Sequence, residues 1–170
     1  RERFAPEKLA NLDGEALLEA MHNHSTRESL VYWLEFKEDE EFHTSVFGSI
    51  AGGSALKFGI YRRKETGAWM TGSPQQQHEL SLPQAIERAR SHRDQLLTGA
   101  RLLADLPAQA TETDYARLQD EMDRLKPVGD TAWGHKYWSL LFPEKLDAFH
   151  SVTYQRFNLL RVLQLLPEKQ

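Results

Sequence analysis

The tripeptide Glu35-Phe36-Lys37 closes the run LVYWLEFK at residues 30–37. An acid and a lysine at that spacing on a strand end are half of the PD-(D/E)xK nuclease pattern. That chemistry needs a second carboxylate, normally an Asp at the start of a neighbouring strand, so that two acids share a metal ion. The nearby upstream acids Asp13, Glu15, Glu19 and Glu28 fall on an expected helix or the loop beside it. A nuclease centre at Glu35 and Lys37 therefore ranks behind a solvated Glu–Lys pair. The segment Gly48-Ser49-Ile50-Ala51-Gly52-Gly53-Ser54 has the glycine spacing of a phosphate loop but lacks the lysine before its serine; Lys57 lies three residues beyond. It reads as a bend in a sheet or a close approach of backbone, or as amides offered to a DNA backbone. His22-x-His24 has neither the i,i+4 spacing of a helical zinc site nor a third ligand at fixed spacing, and no G-x-S-x-G elbow marks a nucleophile. No cofactor and no metal are expected.

The more informative pattern is aromatic and basic residues interleaved. Trp33, Tyr61 and Trp69 share the expected strands with Lys57, Arg62, Arg63 and Lys64. Aromatic faces stack on unpaired bases and neighbouring cations hold phosphates, so the set suits a nucleotide. The same aromatics also suit a packed core. In Trp133-Gly134-His135-Lys136-Tyr137-Trp138, the residues Trp133, Tyr137, Leu140 and Leu141 form a core stripe and leave His135 and Lys136 as the more exposed pair.

The elements that would position these residues follow from periodicity. Leu9, Leu12, Leu17, Leu18 and Met21 predict helix over 7–22, interrupted near Asp13-Gly14. LVYWLEFK is dense in β-formers and reads as a strand, followed by an exposed acidic connection at 38–41. Residues 47–63 read as one or two strands around Gly52-Gly53. Lys64-Glu65-Thr66-Gly67 reads as a hairpin turn, 68–71 as the returning strand and 73–79 as a polar loop. Ser81 and Gln84 have capping-box spacing with Pro83 in the first turn, opening a long helix that Pro107 closes. Further helices are expected at 112–125, 131–142 and 152–165. The fold class is α+β, a small mainly antiparallel sheet in the N-terminal half with a helical C-terminal half. Residues 1–170 read as one domain, and a subdomain break would fall at 107–111.

Composition sets outer limits. A chain of 170 residues without cysteine excludes a disulfide framework, a thiolate zinc site and a cysteine nucleophile. No apolar run is long enough to span a membrane, so a cytoplasmic protein without membrane contact is expected. The net charge of −4 speaks against indiscriminate coating of DNA, where binding is mostly phosphate neutralisation. The charge is unevenly spread, however: residues 1–46 carry −6, 47–103 carry +4, 104–130 carry −4 and 131–170 carry +2. The positive block coincides with the glycine- and aromatic-rich strands.

Four stretches together resemble the N-terminal region of McrB-like AAA+ ATPases of modification-dependent restriction systems. They are LVYWLEFK (30–37), FGSIAGGSALKFGIYRRKETGAWMTG (47–72), HRDQLL (92–97) and WGHKYWSLLFPEKLDAFHS (133–151). The resemblance implies a non-enzymatic specificity module of a longer protein, reading a modified base in double-stranded DNA. It also implies a downstream AAA+ motor and a nuclease subunit engaged through that motor. Lys57, Arg62, Arg63 and Lys64 are the expected backbone contacts, and Trp33, Tyr61 and Trp69 the expected base contacts. Two alternatives stand beside it: a protein-interaction or oligomerisation domain presenting Phe142, Phe149, Tyr154 and Phe157, and the metal-dependent nuclease at Glu35 and Lys37.

Overall fold

The structure is a computed structural model that describes residues 2–52 and 54–163. Gly53 and the expected end of the last helix at residue 165 lie outside the described residues. The chain opens with α1 (Pro6–Ala10) and α2 (Gly14–His22), separated at Asp13, whose carboxylate accepts from the Gly14 amide. A helical run then follows: α3 (Leu30–Tyr32), a π-helical turn over Trp33–Lys37 and α4 (Glu38–Glu41). After α5 (Thr44–Phe47) come a 3₁₀ turn (Ala55–Phe58) and three strands, β1 (Tyr61–Arg62), β2 (Trp69–Ser73) and β3 (Gln76–Leu80). The second half holds α6 (Leu82–Asp105), α7 (Glu112–Met122), a 3₁₀ turn (Val128–Asp130), α8 (Ala132–Leu141) and α9 (Val152–Leu163). This is the α+β arrangement expected, with a small antiparallel sheet ordered β1-β2-β3.

Four local expectations are corrected. LVYWLEFK is helical, not a strand. Ser29 caps it by accepting from the Tyr32 amide, and the buried residues Leu30, Val31, Leu34 and Glu35, continued by Glu38 of α4, recur at helical spacing. The acidic connection is α4, and the one or two strands expected over 47–63 reduce to Tyr61–Arg62. The polar stretch 73–79 is largely strand: a two-residue turn at Pro74-Gln75 returns the chain as β3, paired from Ser73↔Gln76 to Trp69↔Leu80.

The core is organised on α6. Ala85, Ala89, His92, Leu96, Gly99, Ala100 and Leu103 fall on one stripe of this helix and are buried. Against that stripe pack α1 and α2 (Leu9, Leu17, Leu18, Met21) on one side and α8 (Trp133, Tyr137, Trp138) on the other. The start of α6 is set as expected, with the Ser81 amide donating to Gln84 Oε1 at 2.9 Å. Gly99 lets α8 approach closely: a Cβ there would run into the Trp138 indole, whose Nε1 donates to the Leu96 carbonyl at 3.0 Å. Arg90 reaches back to Asp13 with two bonds of 2.6 and 3.0 Å and ties the start of α2 to α6. No described helix is long and apolar enough to cross a membrane.

Candidate nucleic-acid interface

Strand register divides the expected contact residues between two faces of the sheet. Arg62, Trp69 and Leu80 stand opposite one another on the inner face, and Tyr61, Met70 and Glu79 on the outer. Arg62 is already engaged. Its guanidinium lies over the Trp69 ring at 5.8 Å, donates to the Gly67 carbonyl and pairs with Glu19 of α2 at 3.2 Å. Trp69 itself is buried in the core. On the outer side, Tyr61 Oη donates to Gln77 Oε1 at 2.7 Å and Arg63 Nη2 reaches the same oxygen at 3.4 Å. Lys64, exposed, begins the turn to β2. An aromatic ring, a guanidinium and an amide thus meet on one hairpin surface, with Lys64 at the turn beside it. Gln77 was not among the expected contacts, because an all-polar stretch gave no sign of being a strand.

Trp33 and Lys57 are not in the sheet. Trp33 belongs to the π-helical turn and packs against the core, with its ring 6.5 Å from Phe4. Lys57 lies on the 3₁₀ turn before β1 and is a structural staple. Its Nζ donates to Glu35 Oε1 at 2.6 Å, to the Ile50 carbonyl at 2.6 Å and to the Gly52 carbonyl at 2.7 Å. The glycine-rich loop therefore turns carbonyls inward onto a lysine, whereas a phosphate cradle needs convergent N–H groups. At its start, Gly48 has φ +67° and sits against the Ala148 carbonyl and the His150 ring, leaving no room for a side chain. Glu35 is completed by His24 Nε2 at 3.1 Å, and burial holds the His24 imidazole below its usual pKa despite that carboxylate. Glu35 is buried in this cluster while Lys37 faces solvent beside Glu40 and Glu41, so the two halves of the nuclease pattern occupy separate environments.

Lys136, expected on the surface, is completely buried. Its Nζ lies 2.8 Å from Asp39 Oδ1, which it hydrogen-bonds, and 2.8 Å from Glu38 Oε2, without the alignment of a hydrogen bond. Asp39 also accepts from the Ser49 hydroxyl. Burial, with Asp39 adjacent, raises the Glu38 pKa. Burial opposes ionisation of Asp39 too, but its bonds to Lys136 and Ser49 prevail and hold its pKa down. The stretch 38–41 is therefore part of the interior on one side, joined to α8 by charge.

A cleft of about 790 Å³ lies between α7, α8 and the start of α9. Leu103, Leu118, Met122 and Trp138 contribute apolar lining, and His135, His150 and Gln155 form a directed hydrogen-bond relay along its wall. The Phe47 carbonyl can only accept, so His150 Nε2 carries the proton in their 2.6 Å bond. His150 Nδ1 then accepts from His135 Nδ1 at 2.9 Å, and His135 Nε2 accepts from the Gln155 amide at 3.0 Å. Both rings are neutral in this relay. Burial lowers the pKa of each, that of His150 to about 4. Lys145, also in the cleft, is spent on the carbonyls of Leu103 and Leu106 at the end of α6. The cleft's polar groups thus serve one another. Among the described residues no group of three or more His, Cys, Asp or Glu is placed to hold a metal ion. Comparison of the chain with protein-family models, with curated proteins and with solved structures returns no match, so the site stands on its own geometry.

Proposed function

We propose that this chain is a DNA-recognition module and that it meets the duplex with the outer face of the β1–β2–β3 hairpin. The observation that carries the reading is the convergence of Tyr61, Arg63 and Gln77 on one hydrogen-bonded surface, with Lys64 exposed at the adjoining turn. Arg63 and Lys64 supply phosphate contacts, Tyr61 a stacking face, and Gln77 an amide able to both donate to and accept from a base edge. Of the residues expected from sequence, Arg62 and Trp69 support the inner side of this hairpin, while Lys57 and Trp33 are engaged elsewhere in the fold. The resemblance to McrB-like ATPases extends the proposal to a modified base as the feature read, an AAA+ motor as the neighbouring unit and a nuclease recruited through it. Binding of fluorescent duplexes, unmodified or carrying methylcytosine, hydroxymethylcytosine or methyladenine, tests it by anisotropy at two salt concentrations. Salt-sensitive binding with a preference among the four duplexes supports it. No binding, or binding indifferent to salt, overturns it.

A second reading has its own observation. Phe149, Val152, Tyr154, Phe157, Leu159 and Val162, on and just before α9, are all exposed. Such a cluster of large apolar groups is unusual on a surface facing only water. A protein contact through α9 is compatible with DNA recognition by the hairpin, since the two surfaces share no residue. Loss of association in Phe157→Asp, with DNA binding intact, assigns α9 that role.

A further inference from the structure

We infer that the outer edge of β3 is a self-association surface, at which two copies of this chain pair antiparallel to make one continuous six-stranded sheet. Among the described residues β3 pairs only with β2, so its other edge leaves backbone N–H and carbonyl groups unpaired over Gln76–Leu80. Edge strands in proteins that stay apart are blunted by charged side chains, lysine above all, by proline, by a bulge or by a covering element. Gln76-Gln77-His78-Glu79-Leu80 has neither lysine nor proline and one acid, Glu79, its register with β2 runs without a bulge, and every residue but Leu80 is exposed. A groove of about 630 Å³ lies beside the second half of this strand, from His78 to Leu80, walled by Gln84, Glu87, Arg88 and Ser91 of α6. It leaves space beside the edge for one more extended segment.

The strand's own sequence selects the occupant. Paired antiparallel about His78, each Gln77 lies directly opposite the other copy's Glu79, and Gln76 opposite Leu80. No like charges face each other, and each glutamine amide can donate to a carboxylate across the junction. The pairing is a closed two-fold contact, so it stops at two copies. It also carries both Tyr61–Arg63–Gln77 faces on the same side of one sheet, although the association itself does not depend on what those faces bind.

Sedimentation velocity of the whole chain over a wide concentration range tests this, with a mass rising from 19.6 kDa towards twice that value as the expected result. Gln77→Glu keeps an acceptor for Tyr61 and Arg63 but sets glutamate opposite glutamate at two positions, and it weakens association by roughly tenfold. Gln77→Glu combined with Glu79→Lys turns both clashes into opposite-charge pairs and restores association. Unchanged far-ultraviolet circular dichroism checks that both variants are folded. A wild-type chain that stays monomeric at the highest concentration overturns the inference. So does association that Gln77→Glu leaves untouched, or that only Phe157→Asp removes.

Discussion

Lys136→Met is the perturbation whose cost the structure fixes most closely. The substitution keeps an unbranched side chain, one atom shorter, and removes the ammonium group, at a site with no exposure to water. It leaves Glu38, itself 1% exposed, and Asp39 as neighbouring buried carboxylates without their cation. Removing one partner of a buried ion pair costs about 3–5 kcal/mol, because the remaining charge stays desolvated. Urea slopes of about 1–3 kcal/mol per molar then place the unfolding midpoint at least about 1 M lower. Equilibrium urea unfolding, followed by tryptophan fluorescence and circular dichroism together, measures it. The triple variant Lys136→Met, Glu38→Gln, Asp39→Asn removes every charge and recovers most of the loss, since a buried ion pair is worth little against neutral groups of the same shape. A loss below about 1 kcal/mol in the single variant, or no recovery in the triple, refutes the reasoning.

Other outcomes follow from the same packing. Gly99→Ala gains helix propensity of about 1 kcal/mol but drives a methyl into the Trp138 indole at a cost of about 2–3 kcal/mol, so it destabilises by about 1–2 kcal/mol net in urea unfolding. Burial lowers His92 and His150 to about 4 and His22 well below 6.5, so their folded-state pKa values lie under the unfolded ones. Their contribution is complete above pH 6.5 and is lost as pH falls towards 4, by up to about 1.4 kcal/mol per pH unit for each fully buried histidine. Unfolding curves between pH 7 and 4.5 show that slope, and it is shallower in His92→Gln. Tyr61→Ala leaves the thermal midpoint within a few degrees, as the ring is only half-buried, but it removes the preference among modified duplexes.

The helical half of the fold was legible because local chemistry and tertiary packing agree there. The Ser81–Gln84 cap, Pro83 and the apolar stripe to Leu103 all specify one helix, and Lys64–Gly67 specifies the hairpin turn. LVYWLEFK misled because its core-facing Glu35, like Glu38 just beyond it, is an acid. They are buried against Lys57 and Lys136, which lie far along the chain, so the helical stripe shows no apolar period and β-propensity prevails in a local reading. Lys136 was misplaced for the reciprocal reason. β3 was hidden because an edge strand with both faces wet carries no alternation. At the candidate interface, both arginines were expected as DNA-backbone contacts, although strand alternation already sets Arg62 and Arg63 on opposite faces. Only the register sends Arg62 inward to Glu19 and Trp69, and Arg63 outward to Gln77.

The central claim is that the outer hairpin face, and not the inner cations, holds DNA. The most direct measurement is the salt dependence of duplex binding for wild type, Arg63→Glu with Lys64→Glu, and Lys57→Met. Reversal at 63 and 64 lowers affinity on every duplex and flattens the slope of log affinity against log salt by about two, one for each phosphate no longer neutralised. Lys57→Met, checked for folding by circular dichroism, keeps the wild-type slope. An unchanged slope in the Arg63, Lys64 variant, or a slope that falls only with Lys57, contradicts the account.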